Sequence, residues 1–399
     1  MLSCVLAAAP LFGCAVSQPD VPMGSYLAGD LESVRAFAEE QSVEDVDENL
    51  ALLLNVQGQC ELYLGDDRAA RRSLLRAGQI MGTWATSGAE ATAAVVGSES
   101  SKTYRGDPYE KAMNAFYLAV ACLAAGEPDN ARAALKRGIL MDAEVGDERY
   151  RADNALLFWM AGRMTRMYGG SGADEFFDEA REANRFAVEH GARGLFDDPL
   201  LEDPARGNLV LLLPIGLGPE KFGGGAEQEL ARFRTRQHPA VAAEATLDGA
   251  RIGASTILSD VVYQARTLGG TVMEGIRKGK AVFRRSSRIA GAVLLDQALR
   301  NSGRDSKKAR AQAVVGGALL ALSALTASGA DVRHWPTLPS TVQVLVADAP
   351  PGEHELVVDF VDAGGRALPR LRRRLSVTVP EDGEAWLLLP SLPVGAPSP

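Results

Sequence analysis

The sequence predicts an α+β protein, in which an N-terminal helical array precedes a small antiparallel β domain with a long helical insertion. Apolar residues recur at helical spacing between about residues 25 and 195. After residue 336 they alternate with polar residues, as in β-strands. The charge also differs between the two parts. Residues 1–200 carry 18 Lys and Arg against 31 Asp and Glu, whereas residues 201–399 carry 24 against 20.

The composition bounds the class of protein. The chain has 399 residues, 46% of them hydrophobic, which suits two or three globular domains. The net charge is -9, whereas a nucleic-acid-binding protein typically carries an excess of basic residues. None of the four cysteines stands in a CxxC pair, so no zinc or redox motif is visible. Cys60 and Cys122 lie within helical patterns and are interpreted as small buried hydrophobes, with a disulfide as the alternative.

The N-terminus has the pattern of an exported protein. Its first 14 residues, MLSCVLAAAPLFGC, carry no charge, and their apolar run is too short to span a bilayer. The LFGC segment is similar to a bacterial lipobox, with a leucine three positions before the cysteine and a small residue directly before it. We therefore expect a signal peptide over residues 1–13, lipid attachment at Cys14 and a linker over residues 14–24. The alternative is a buried N-terminal helix.

Three stretches between residues 25 and 195 share a helix–turn–helix pattern that resembles tetratricopeptide (TPR) repeats. In each stretch, small residues on the first helix allow a large residue of the second to approach closely. The residues that follow this pattern include Gly58 and Leu74 in the first stretch and Ala161 and Phe177 in the third. The stretches do not recur every 34 residues or so, as such repeats do, and an insertion at about 82–106 separates the first two. An ordinary helical bundle is the alternative.

The second stretch begins with Asp107-Pro108-Tyr109-Glu110, which predicts an Asp N-cap, a proline in the first turn and a capping box closed by Glu110. A groove on the helical array would be the natural binding surface. Lys102, Tyr104 and Tyr109 are the candidate partner contacts near the insertion. Local packing or capping is the alternative role for these three residues.

The second half begins with strand patterns. The segment GNLVLLLPIG predicts a buried strand, and a loop is expected at the glycine run 223–225. Residues 239–253 predict two strands joined by a turn at Asp248-Gly249.

A long helical region is expected at about 255–329. Residues 311–330 carry no charge over a length that meets the transmembrane criterion, but small residues dominate them, so a helix packed against protein is favoured. The alternative is a helical hairpin that dips into a membrane and sets a basic cluster on anionic headgroups. The candidate membrane-surface contacts are Arg277, Lys278, Lys280, Arg284, Arg285 and Arg288.

The remaining strands predict a small antiparallel sandwich, completed by the strands before the helical region. One face carries Val342, Val344 and Val346, another carries Leu356, Val358 and Phe360, and both are expected to meet the core. Leu345 and Val357 lie on the opposite faces and are expected to be partly covered. An arginine-rich segment is interpreted as a solvated edge strand; its members are Arg370, Arg372, Arg373 and Arg374.

No catalytic constellation is visible. The four histidines form no HExxH, HxH or HxxxH motif, and no GxSxG nucleophile motif is present. His334 beside Trp335 predicts a packed junction between domains. Paired carboxylates such as Asp197-Asp198 stand in turn-like polar contexts, where capping is the commoner role. We therefore expect a protein without enzymatic activity, cofactor or metal.

The chain resembles a family of uncharacterised bacterial envelope lipoproteins with N-terminal TPR-like repeats. The segments that carry this resemblance are LFGC, SKTYRGDPYEKAMNAFYLAVACLAAGEPDNARAALKR, GNLVLLLPIGLGPEK and ADVRHWPTLPSTVQVLVADAPPGEHEL. The resemblance implies an exported protein, anchored by lipid to the cell envelope. It implies no activity and no catalytic residues.

Together these patterns predict a non-catalytic, lipid-anchored envelope protein that binds a protein or peptide through its helical surface. The acidic N-terminal half would suit a basic partner. Two alternatives remain: a membrane-active accessory component of an envelope assembly or secretion system, using residues 277–330, and an undetected hydrolase. Nucleic acid is not expected as a partner, and the oligomeric state is left open.

Overall fold

A computed structural model of the chain describes residues 17–44, 48–82, 103–142, 154–224, 230–268 and 331–393. Helices come first and strands follow, which confirms the predicted α+β class. The helices of the first part are α1 (Met23–Ala28), α2 (Leu31–Glu44), α3 (Leu50–Tyr63), α4 (Asp67–Met81), α5 (Pro108–Ala124), α6 (Pro128–Asp142), α7 (Ala155–Met167), α8 (Ala173–Glu189) and α9 (Pro199–Glu202).

The second part is built from ten described strands and one described helix. They are β1 (Leu209–Ile215), β2 (Glu220–Gly224), β3 (Leu230–Arg234), β4 (Ala242–Leu247), β5 (Ala250–Ala254), β6 (Thr256–Asp260), α10 (Val261–Leu268), β7 (Thr341–Ala347), β8 (Gly352–Val361), β9 (Arg373–Val379) and β10 (Ala385–Leu388). A short 3-10 helix, Pro369–Leu371, precedes β9.

Helices α3 to α8 form three consecutive hairpins, α3–α4, α5–α6 and α7–α8, each closed by a short turn. Neighbouring hairpins touch through α4 with α5 and through α6 with α7. Glycines set the close approach within two of the hairpins. A Cβ at Gly58 would lie 2.6 Å from Leu74 Cγ, and one at Gly162 would lie 2.5 Å from the Phe177 ring. Gly58, named from the sequence, is thus the small residue that meets Leu74, whereas Phe177 meets Gly162 and not its neighbour Ala161, the small residue named from the sequence.

The first helices of the hairpins are buried almost throughout. In α3, α5 and α7 nearly every residue is buried, whereas α4 and α8 each keep one exposed face. The reason is that the inner helices lie between two layers, since the second helices of the hairpins cover one side and the β domain covers the other. A helix that is apolar on all sides is typical of this position.

The β domain contains two four-stranded sheets. The central sheet has the order β10-β1-β7-β6, and the outer sheet has the order β5-β4-β8-β9. All seven residues of β1 are buried, because the central sheet is covered on both faces. Val210 and Leu212 join the core shared with the helices, while Leu209, Leu211 and Leu213 join the core between the two sheets. The layers are therefore helices, central sheet and outer sheet.

Both strand faces that were expected to meet the core are buried, but in two different cores. Val342, Val344 and Val346 pack against the helices, whereas Leu356, Val358 and Phe360 pack between the two sheets. Leu345, which was expected to be only partly covered, is the β7 residue that packs between the sheets. Alternation along β7 shows which residues share a face, but it cannot show which face meets which layer. The central sheet is also mixed, because β1 and β10 pair in parallel.

Two predicted segments have a different structure. Residues 256–260, placed in the helical region, form strand β6 and pair antiparallel with β7. Gly223 and Gly224, placed in a loop, end strand β2, which pairs with β3. In both cases pairing with a neighbouring strand overrides the local signal. The turn at Asp248-Gly249 is confirmed between β4 and β5, with φ positive at both residues.

The predicted linker over residues 14–24 also needs correction where the structure describes it. The side chain of Gln18 exchanges hydrogen bonds with the backbone of His334, Val21 is buried, and α1 begins at Met23. Residues 17–24 therefore pack against the fold.

Several predicted features lie outside the described residues. They are the signal peptide over 1–13, Cys14, Lys102, the uncharged stretch 311–330 and the basic cluster Arg277, Lys278, Lys280, Arg284, Arg285 and Arg288. Within the described ranges, no helix combines the length and apolar character needed to cross a membrane.

Candidate functional site

The predicted partner contacts beside α5 are buried inside the protein. Tyr104 is 2% exposed and Tyr109 is 1% exposed. The backbone N–H of Tyr104 donates to Glu48 O at 2.7 Å, and the Tyr109 ring meets the Phe233 ring edge-on at 5.9 Å between centroids. The prediction that these tyrosines contact a partner is therefore wrong, because strand β3 and the loop before α3 cover them. Their role is packing, the alternative reading of the sequence.

A buried set of charges lies at the N-terminus of α5. The Lys221 ammonium is 2.6 Å from Asp107 Oδ2, and both side chains are almost inaccessible to solvent. Glu110 closes the predicted capping box by accepting from the Asp107 N–H at 2.7 Å. Its other oxygen accepts from the Trp335 N–H at 2.7 Å. Burial, helped by the nearby Asp107 carboxylate, raises the pKa of Glu110 to about 7.

A polar network beside this cluster joins the helices to the segment before β7. The Gln59 side chain of α3 is fully buried. Its amide donates to Tyr117 Oη at 3.0 Å and to Thr337 O at 2.9 Å. Its carbonyl oxygen accepts from Trp335 Nε1 at 2.9 Å and from Thr337 Oγ1 at 2.6 Å. The predicted junction at His334-Trp335 is thus confirmed, and it is built on hydrogen bonds as well as on packing.

A third junction lies on α7. Arg163 is fully buried and pairs with Glu384 at 2.7 Å, ahead of strand β10. Its remaining donors reach the carbonyls of Pro204, Arg206 and Gly207 at 2.7–3.0 Å. In all three junctions the inner helices contact residues that follow α8 in the chain. A partner that bound there would have to displace these contacts. The inner face therefore serves to hold the fold together.

The outer face of the hairpins is accessible and its charges are segregated. Helix α4 exposes three arginines one turn apart, and helix α8 exposes a band of carboxylates. Helix α6 lies between these two helices: Arg137 donates to Gly78 O of α4, and Lys136 lies 5.8 Å above the Phe176 ring of α8. The arginines are Arg68, Arg72 and Arg76, and the carboxylates are Asp174, Glu175, Asp178, Glu179, Glu182 and Glu189.

Apolar side chains border the acidic band. Leu195 is 55% exposed and Phe196 is 47% exposed, in the loop after α8. The Asn184 side chain fixes this loop by donating to Leu195 O at 2.7 Å, and Arg185 pairs with Asp197 at 2.8 Å. We call the acidic band together with Leu195 and Phe196 the α8 surface. Its charge spacing is readable in the sequence, whereas the exposure of the two apolar residues required the fold.

The α8 surface is the candidate site of this protein. Exposed apolar side chains beside a predominantly acidic band are typical of a surface that binds another molecule. Among the described residues no group of three or more His, Cys, Asp and Glu is arranged to hold a metal ion. Cys60 and Cys122 are buried free thiols, which confirms their interpretation as small hydrophobes.

Comparison of the chain with protein-family models, with curated proteins and with solved structures found no match.

Proposed function

We propose that this protein is a non-catalytic, lipid-anchored scaffold of the cell envelope that binds a basic protein or peptide on the α8 surface. The observation that carries the proposal is the exposed acidic band of α8, bordered by Leu195 and Phe196. A partner segment with Lys or Arg residues and an apolar anchor matches both features, since charges steer the encounter and a buried apolar contact supplies affinity.

The three helical hairpins support the part of this proposal that interprets the helical array as TPR-like. Three helix pairs follow one another, and glycines at Gly58 and Gly162 allow the second helices to approach the first. In this reading the inner face, which such arrays commonly offer to a ligand, is occupied by the β domain. The partner surface is accordingly the outer face.

The anchor part of the proposal rests on the LFGC pattern at Cys14. We expect Cys14→Ala to leave the protein soluble or unprocessed, because the thiol that receives the lipid is absent. Membrane fractionation and the intact mass of the mature protein measure this. Unchanged fractionation and unchanged mass would reject lipid attachment while leaving the α8 surface untested, so the two parts of the proposal fail separately.

The partner surface is tested by crosslinking in native membranes followed by mass spectrometry. The variant combines Glu175→Lys, Glu179→Lys and Glu182→Lys, which reverses the charge of the band at exposed positions. We expect one recurrent crosslinked protein in the wild type, with crosslinks mapping to α8, and its loss in the variant. A second variant, Phe196→Ser, removes an apolar contact without changing charge, and we expect it to reduce the same crosslinks.

The matched control carries Glu353→Lys, Glu381→Lys and Asp382→Lys. These exposed acids of the β domain give the same change in net charge away from α8. We expect the control to retain the partner. Loss of the partner in both triple variants would show that overall charge governs capture, and retention in both would place the binding surface elsewhere. Either result overturns the proposal.

A further inference from the structure

A surface cavity of about 250 Å³ lies between the helical array and the β domain. The loop after α8, the connection from β3 to β4 and the residue before β7 form its walls. It does not include the exposed carboxylates of α8. Its polar lining consists of Arg193, Thr235, Arg236, Gln237, His238 and Ser340.

Arg236 brings a positive charge to this cavity. Its guanidinium donates from Nε to Gly218 O at 2.7 Å and from Nη2 to Pro336 O at 2.5 Å. Among the described residues it makes no ion pair with a carboxylate, and its Nη1 donates no hydrogen bond. Burial lowers the pKa of Arg236, because a charge that leaves water for carbonyl partners is incompletely compensated. An anion in the cavity would supply the missing compensation.

The acids beside these groups are already paired: Asp260 pairs with Arg193, and Glu220, whose charge also acts on Arg236, pairs with Arg234. Asp260 accepts from Arg193 Nε at 2.8 Å and from Arg193 Nη2 at 2.7 Å. Its Oδ1 also accepts backbone N–H groups at the start of α10. Arg266 does not line the cavity, but it donates to Thr235 Oγ1, which does, at 2.9 Å and so adds a positive charge beside that residue. The balance of these groups favours an anionic ligand.

His238 adds an oriented neutral donor. Its Nδ1 accepts from the Ala240 N–H at 3.2 Å, which assigns the ring proton to Nε2. Burial lowers the pKa of His238, so the ring is neutral near pH 7. An imidazole N–H and a guanidinium on one wall are donors that suit the oxygens of a carboxylate or a phosphate.

We propose that this cavity binds a small-molecule oxyanion, a carboxylate or a phosphate monoester, through Arg236 and His238. The volume of the cavity limits the size of the ligand, since pockets for drug-sized ligands begin at about 300 Å³. A compact metabolite fits the cavity, and a polymer chain does not. This site is independent of the partner surface on α8.

The test is calorimetric titration of the purified full chain with inorganic phosphate, phenyl phosphate and benzoate, at constant ionic strength set with chloride. We expect saturable binding of at least one probe. The probe that binds most tightly shows whether the ligand is a phosphate or a carboxylate. Gln237→Glu places a negative charge at the exposed rim without altering the hydrogen bonds of Arg236, and we expect it to weaken binding about tenfold or more. Gln237→Lys is expected to strengthen binding several-fold.

The matched control is Gln79→Glu, the same change at an exposed position of α4. We expect it to leave the affinity unchanged. Arg236→Lys keeps the positive charge but lacks the planar set of N–H donors of the guanidinium. We expect it to weaken binding less than Gln237→Glu does. No saturable binding of any probe, or equal affinities in Gln237→Glu and Gln79→Glu, would overturn the proposal.

Discussion

Arginines on two adjacent helices show how differently the inner and outer faces use the same side chain. Arg163 of α7 is fully buried and joins Glu384 and three backbone carbonyls. Arg181 of α8 pairs with Asp178, whose side chain is 65% exposed, one turn away on its own helix. Both pairs are short. Water solvates the outer pair, whereas the inner pair depends on protein groups alone to compensate its charges.

The comparison distinguishes charges that stabilise the fold from charges that are accessible to a binding partner. On the inner face, removing one partner leaves an uncompensated group in a dry environment, so the cost falls on stability. On the outer face, water replaces the lost partner, so a charge there can serve binding at little cost to folding. The helical hairpins therefore hold the β domain with one face and keep the other free.

The largest effect is expected at Arg163. Arg163→Met leaves Glu384 and three carbonyls without their donor, and we expect a loss of about 3–5 kcal/mol in the free energy of unfolding. Equilibrium unfolding in urea measures it. The matched variant Arg181→Met on α8 makes the same replacement at the outer face. Equal losses in the two variants would contradict the distinction between the faces.

The Gln59 network tests whether neutral hydrogen bonds also secure the inner face. We expect Gln59→Leu to cost about 2–3 kcal/mol, because buried groups of Trp335 and Thr337 lose a partner. Gln57→Leu is the control on the same helix, since Gln57 is half-buried and its side chain donates to Glu61. A loss below about 1 kcal/mol is expected there, and urea unfolding compares the two.

The pH dependence of stability tests whether two buried groups at the inner face titrate with shifted pKa values. The pKa of Glu110 is raised to about 7, mainly by burial, so the folded chain holds a proton there that the unfolded chain releases. This contribution makes stability fall as the pH rises from about 4.5 to 7. Burial lowers the pKa of His334 to about 4, so the unfolded chain binds the extra proton. That contribution makes stability rise between pH 4 and about 6.5.

Two variants separate these opposing slopes. In Glu110→Gln we expect stability to rise more steeply with pH than in the wild type between pH 4.5 and 6.5, because Glu110 no longer opposes the His334 contribution. In His334→Gln we expect it to fall more steeply over the same range. Urea unfolding at several pH values measures both. Curves parallel to that of the wild type would mean that neither group titrates as its surroundings indicate.

The smallest effect is expected on the outer face. Arg181→Gln removes a solvated ion pair between positions three residues apart and a hydrogen bond of 3.2 Å from Nε to Leu201 O, and we expect a change in the free energy of unfolding of at most about 1 kcal/mol. Thermal or urea unfolding checks it. A larger loss would show that the outer charges also carry the fold, and the α8 surface would then be less free to bind a partner.

The sequence by itself determined the local features of this protein. The helical hairpins, the capping box at Asp107 and Glu110, and the turn at Asp248-Gly249 follow from residue spacing and backbone preferences, which act over a few residues. The burial of Cys60 followed from its apolar surroundings in the same way.

Only the tertiary structure decided which faces meet. The strand pattern of β7 is the same whether Val344 faces a helix or a sheet, and nothing local in Tyr109 shows that β3 covers it. Glu110 and Trp335 are 225 positions apart, yet they share one hydrogen bond. Such contacts depend on how layers stack, and layer order is a property of the whole chain because each apolar face accepts any complementary one.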